Sequence, residues 1–142
     1  MRVSWKVIFF TGIISLCALF FLSNSSCDTP WRKEVQEADL YDVDLLKTDD
    51  GVYTGQHSYR DYMYIVQAEV ADHQIVDIEI VDWDPNDART AALAIFDRVI
   101  ENQSLCVDAI TGATTASKLY LLCLEDAFPY HKSDECPEWE YE

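Results

Sequence analysis

The chain has 142 residues, 49% hydrophobic and 13% aromatic, enough to bury one workable core and too many for a disordered polyelectrolyte. Its formal charge of −16 excludes nucleic acid as a partner, because a phosphate backbone would be repelled. The same charge suits plain solubility or docking on a basic partner.

Residues 1–27 read as a targeting segment. Arg2 and Lys6 precede an apolar run over 7–22, which is shorter than a comfortable membrane span. Ser23-Asn24-Ser25-Ser26 then leads to Cys27. This order resembles a bacterial lipoprotein signal with Cys27 as the lipidated first residue of the mature chain. Asn24 stands where such signals usually carry an aliphatic residue. A cleaved signal and an uncleaved anchor are the alternatives. All three put the remainder on the extracytoplasmic side of a membrane, in the cell envelope.

Residues 28–49 are acidic and weakly patterned, and read as a linker with helical character over 31–46. Period-2 patterning begins at Gly51. Strands are expected over 51–59, 62–71 and 74–83, with Gly51 and Gly55 at close approaches or bulges. In the second strand Tyr62, Tyr64, Val66, Ala68 and Val70 share one face. Asp72-His73 makes the turn, and the third strand is expected to point Val76, Ile78 and Ile80 inward. Three sequential strands with short turns make an antiparallel meander with one wet face.

Asp84-Pro85-Asn86-Asp87 breaks the pattern and starts a helix. Asp82, Asp84 and Asn86 repeat the first ligand positions of a calcium loop, but Asp87 and Leu93 occupy the sixth and twelfth, so an acidic turn is the reading. Ala88, Ala91, Ala92, Ile95, Phe96, Val99 and Ile100 then form an unbroken helical stripe. A second helix is expected over 115–128, stopped by Pro129, and 131–142 reads as an acidic tail. With Cys17 in the leader and Cys27 lipidated, Cys106, Cys123 and Cys136 remain. An oxidising compartment permits one disulfide among them and leaves one thiol. Cys123 reads as a small core residue. No metal-ligand spacing accompanies them.

The chemistry-bearing stretch is Asp108-Ala109-Ile110-Thr111-Gly112-Ala113-Thr114-Thr115-Ala116-Ser117. It is a helix entrance rich in small hydroxyl residues, with Thr111 as the expected cap and Gly112 and Ala113 leaving the approach open. First-turn amides without intrahelical partners suit an anion, phosphate above all. Thr111-Gly112-Ala113-Thr114 resembles the Ser/Thr-Gly-Ala-Thr flavinylation motif of the FMN-binding domain family. That family includes flavin subunits of the sodium-translocating NADH:quinone oxidoreductase and of Rnf-type complexes. The similarity covers roughly residues 50–128, including Asp50-Gly51-Val52-Tyr53-Thr54-Gly55 and Val99-Ile100-Glu101-Asn102-Gln103-Ser104.

The resemblance implies an α+β fold, a small antiparallel β-meander covered by two helices, with residues 50–130 as the FMN-binding domain. It implies FMN as cofactor, carried by a phosphoester on Thr114. Asp108 would orient the segment or assist transfer. Thr111, Gly112 and Ala113 would cradle the phosphate, with Thr115 and Ser117 as further donors. Trp83, where many members have histidine, would stack on the flavin or cover the core edge. The loop after Trp83 departs from the family by being acidic, with only Arg89 basic, which bears on the flavin's potential. A separate FAD:protein FMN transferase is the implied maturation partner, and a membrane or envelope redox protein the electron partner. The alternatives are the same fold binding FMN reversibly, and a flavin-free envelope module for docking or metal binding.

Overall fold

Strand alternation and one long apolar helix set the architecture. The computed structural model describes residues 30–81 and 87–137, so the expectations for residues 1–27, Cys27 and Trp83 lie outside the described residues. In chain order the elements are α1 (Pro30–Glu37), β1 (Tyr41–Val43), a 3-10 turn (Leu45–Lys47), β2 (Gly51–Tyr59), β3 (Tyr62–Ala71) and β4 (Gln74–Ile80). These are followed by α2 (Asp87–Ala92), α3 (Ala94–Asn102), α4 (Thr114–Ala127) and β5 (Lys132–Glu135). No helix among the described residues is long and apolar enough to cross a membrane.

The fold is α+β. Strands β2-β3-β4 form an antiparallel meander in that order. The first hairpin pairs Gly51 with Val70 at one end and Tyr59 with Tyr62 at the other. Asp72 and His73 turn the second hairpin with φ of 52° and 59°, matching the strands' right-handed twist. Tyr64, Val66, Ala68 and Val70 are buried, following the expected phase, while Tyr62 stays exposed at the strand's start.

The phase of β4 differs from expectation. Ile75 is 1% exposed and Val76 47% exposed, because the register shifts between Glu69 and Val70. A bulge inserts one residue, so Ile75 and Ile78 point inward and Val76 points out. The single helical stripe expected from residue 88 is two helices that break at Leu93, with Ile95, Phe96 and Val99 buried in the second.

Helix α4 lies across β2 and β3 and is buried along most of its length. Tyr120 meets Tyr64 edge-on and Phe96 at a tilt, at centroid distances of 5.9 and 5.2 Å, forming the aromatic centre of the core. Arg89 is buried there too. Its Nε donates to the Tyr64 hydroxyl at 3.0 Å, and its guanidinium lies 4.5 Å from that ring's centroid. The only basic residue after Trp83 and before α3 is thus bound into the tyrosine cluster of the core.

Two segments expected to be peripheral are part of the core. Within residues 30–49, Val35, Leu40, Val43, Leu45 and Thr48 are buried. Lys118 donates to the Gln36 carbonyl at 2.8 Å, joining α1 to α4. Asp42 accepts from the Leu105 amide and the Ser104 hydroxyl, both at 2.7 Å. The tail likewise folds back: β5 pairs antiparallel with β1 in a second sheet, Lys132 pairs with the buried Glu125, and Cys136 is bonded to Cys106. The reason is long-range pairing, which leaves little periodicity in such short segments.

Cys123 keeps its thiol, buried 3.5 Å from the Tyr64 carbonyl. Burial, and then the nearby Asp126 carboxylate, pushes it up from 9.0 to about 12. Burial, with Tyr64 adding to it, likewise raises Tyr120 from 10.0 to about 12. Both groups hold protons in the fold that the unfolded chain releases from about pH 9 upward. Their contribution to stability is therefore present in full below pH 9 and lost as pH climbs toward 12. Urea midpoints taken at rising alkaline pH should fall accordingly. A disulfide-exchange thiol reagent should label Cys123 only in denaturant; rapid labelling of native protein would contradict this burial.

Candidate functional site

The motif lies where α3 hands over to α4. Helix α3 stops at Gln103, which takes a left-handed φ of 53° and returns its amide to the Val99 carbonyl at 2.7 Å. The Gln103 side chain brackets Ile75 of β4, accepting from its amide at 2.7 Å and donating to its carbonyl at 2.9 Å. Buried Leu105 and Val107 and the Cys106–Cys136 disulfide, with a Cα separation of 5.1 Å, then anchor the approach. From Asp108 the chain comes to the surface.

Residues 110–113 form a β-turn. The Ala113 amide donates to the Ile110 carbonyl at 2.9 Å, and Gly112 has φ of 79°, the value a type II turn requires at that corner. An added Cβ on Gly112 would meet nothing within 4 Å, so the turn's tip is open at this position. Helix α4 starts at Thr114 with Ala113 as its N-cap and no side-chain cap. Thr111 is therefore not the cap: the turn lies between it and the helix, leaving it exposed at the tip.

The helix start leaves the amides of Thr114, Thr115 and Ala116 without intrahelical acceptors, since the Ser117 amide makes the first such bond, to Ala113 at 2.9 Å. Thr114 and Thr115 are half-exposed. Their hydroxyls make no hydrogen bond among the described residues. Ser117 differs. It is 0% exposed; its hydroxyl donates to the Ala113 carbonyl at 3.0 Å and accepts from the Ile110 amide at 3.2 Å. It staples the turn to the helix and is not a donor toward a ligand. The Ala113 amide, already used in the turn, cannot join a phosphate cradle either.

Asp108 is exposed, and its backbone carbonyl accepts from Arg98 Nη1 at 2.7 Å. The same nitrogen donates to the Ala109 carbonyl at 3.2 Å. Arg98, Asn102, Cys106, Val107 and Asp108 line a polar recess of about 360 Å³ beside the approach. Arg98 carries no motif in the sequence beyond being the only basic residue between Thr90 and Ser117. Lys118, the cation nearest Thr114 in sequence, is directed away to α1.

A separate groove of about 540 Å³ runs between β4 and α3, walled by Ile78, Ile80, Leu93, Phe96 and Ile100 with Asp77 and Asp97 also lining it. It contains no motif residue. Among the described residues, no three His, Cys, Asp or Glu side chains are gathered as a metal-ligand set.

The residues at the α4 entrance fit a phosphate ester. They combine uncommitted hydroxyls, free first-turn amides, the positive end of a 14-residue helix and an unobstructed glycine turn. No family model and no curated protein matches the chain.

Proposed function

We propose that the chain is an extracytoplasmic electron-transfer flavoprotein that carries FMN on Thr114 through a phosphoester. The observation that carries this reading is the position of Thr114: first residue of α4, half-exposed, directly after an open glycine turn. The resemblance of Thr111-Gly112-Ala113-Thr114 to the flavinylation motif of the FMN-binding domain family points to the same residue as acceptor. The Cys106–Cys136 disulfide supports an oxidising compartment, in keeping with the leader-like residues 1–27.

Attachment requires a FAD:protein FMN transferase. The Thr114 hydroxyl oxygen bonds to the phosphorus of the FMN half of FAD, the phosphoanhydride bond to the AMP half breaks, and AMP leaves with the electron pair. The hydroxyl proton passes to a base on the transferase. Thr115 and the amides of the first turn hold the remaining phosphate charge, and Asp108 is exposed for the transferase to read. FMN supplies the one- or two-electron chemistry when bound, while the chain supplies tether and surroundings. The acidic surface suits a basic envelope redox partner.

The test is the visible spectrum of protein co-expressed with a flavin transferase, then denatured and washed. Flavin absorbance retained by the denatured chain is expected. Colour released on denaturation would mean reversible binding, and a colourless native protein would remove flavin from the account.

A further inference from the structure

We propose that Arg98 is the positioning residue for flavin attachment, holding the Asp108 and Ala109 carbonyls so that Thr114 is presented in one orientation. This rests on the reading of Thr114 as acceptor.

The argument is one of what ties the exposed approach to rigid structure. Val107 is buried on one side and Ala113 on the other, while Asp108, Thr111 and Gly112 between them are exposed. Among the described residues, two side chains hydrogen-bond to this span's backbone. Ser117 holds Ile110 and Ala113, but it belongs to α4 itself and cannot orient α4's entrance against the rest of the domain. Arg98 can, because α3 is seated by buried Ile95, Phe96 and Val99 and is closed by the Gln103 bracket on β4. One guanidinium nitrogen reaches both carbonyls, at 2.7 and 3.2 Å. The guanidinium is planar and permanently charged, so its Nη1 keeps a fixed donor direction on both carbonyls where an ammonium would rotate.

Both carbonyls lie near the surface, so water can replace Arg98 as donor and the fold should survive its loss. Presentation should not. Small misplacements of a reacting atom lower turnover steeply, by up to about 100-fold for an ångström.

The experiment uses the full chain, purified without flavin, with purified transferase, FAD and magnesium. Flavin incorporation is followed by intact mass for wild type, Arg98→Gln and Arg98→Lys. Arg98→Gln is expected to fold, to lose about tenfold or more in kcat with KM for the chain nearly unchanged, and to exchange the amides of residues 109–115 faster. Arg98→Lys should recover part of the rate. Equal rates in wild type and Arg98→Gln would overturn the proposal while leaving Thr114 as acceptor. So would a loss confined to KM, which would make Arg98 a docking contact. An unfolded Arg98→Gln beside a wild-type rate in Arg98→Lys would assign the residue to stability and also overturn it. Wild-type protein that takes no flavin would instead defeat the function itself, and this proposal with it.

Discussion

Thr114→Ala, co-expressed with a flavin transferase, is expected to yield folded and colourless protein, while Thr115→Ala remains flavinylated. A threonine hydroxyl is a weak nucleophile at neutral pH, so attachment depends on an enzyme reaching it. Both threonines are half-exposed at the start of α4, so burial does not separate them. Position does: Thr114 is the fourth residue of the motif and stands at the mouth of the helix. There a phosphate ester gains roughly 0.3–2 kcal/mol from the helix dipole. Alanine is the better helix former, so neither substitution should unfold the domain. Mass spectrometry of tryptic peptides should find the FMN-phosphoryl addition on the peptide that contains Thr114, with Thr114→Ala unmodified. Flavin retained in Thr114→Ala would sink the assignment.

Gly55→Ala should cost far more stability than the same methyl added at Gly51. A Cβ at residue 55 would lie 1.9 Å from the Cys123 carbonyl oxygen and 2.4 Å from the Ala127 amide nitrogen. Both are backbone atoms of α4, so relief requires lifting the helix from β2, where Tyr53 packs on Phe128 at 5.0 Å and Asp126 accepts the Gln56 amide. Overpacking of this kind costs about 3 kcal/mol or more, a large part of a typical domain's total. Gly51→Ala is the matched control: the nearest atom to its Cβ would be 3.8 Å away, on the Tyr53 ring. Urea unfolding should show a collapsed midpoint, or no folded baseline, for Gly55→Ala and a near-native one for Gly51→Ala. Equal midpoints would mean that α4 does not lie against β2 at this distance.

Much of the candidate site is legible without coordinates. Hydroxyl and glycine residues in the order Thr111 to Thr114, followed by an apolar helical stripe, are local features, and the structure puts a helix start there. The meander is legible for the same reason: alternation from Gly51 to Ala71 and a two-residue turn at Asp72-His73 are short-range signals that the β2 and β3 boundaries follow. What chain order could not supply are the places where a distant backbone decides. Val76 points outward because of a bulge against β3, a register choice made between strands and not within one. Thr111 is displaced from the cap because the Ala113 amide closes a turn first, and Ser117 is drawn inward to hold that turn. Arg98 becomes part of the site only when α3 folds beside the approach.

The two ends of the described chain make the same point most plainly. The ragged apolar pattern over 31–46 suggests a helix, which the fold keeps only over Pro30–Glu37, and nothing in it announces β1; Lys132–Glu135 is a polar run in an acidic tail. Each acquires its order from the other end or from α4: β1 from β5, Cys136 from Cys106, Tyr41 and Lys132 from Glu125. Period and turn chemistry determined the sheet and the helix that bears Thr114. Tertiary structure alone decided what encloses them, because burial and pairing between residues far apart in sequence leave no periodic trace in either partner.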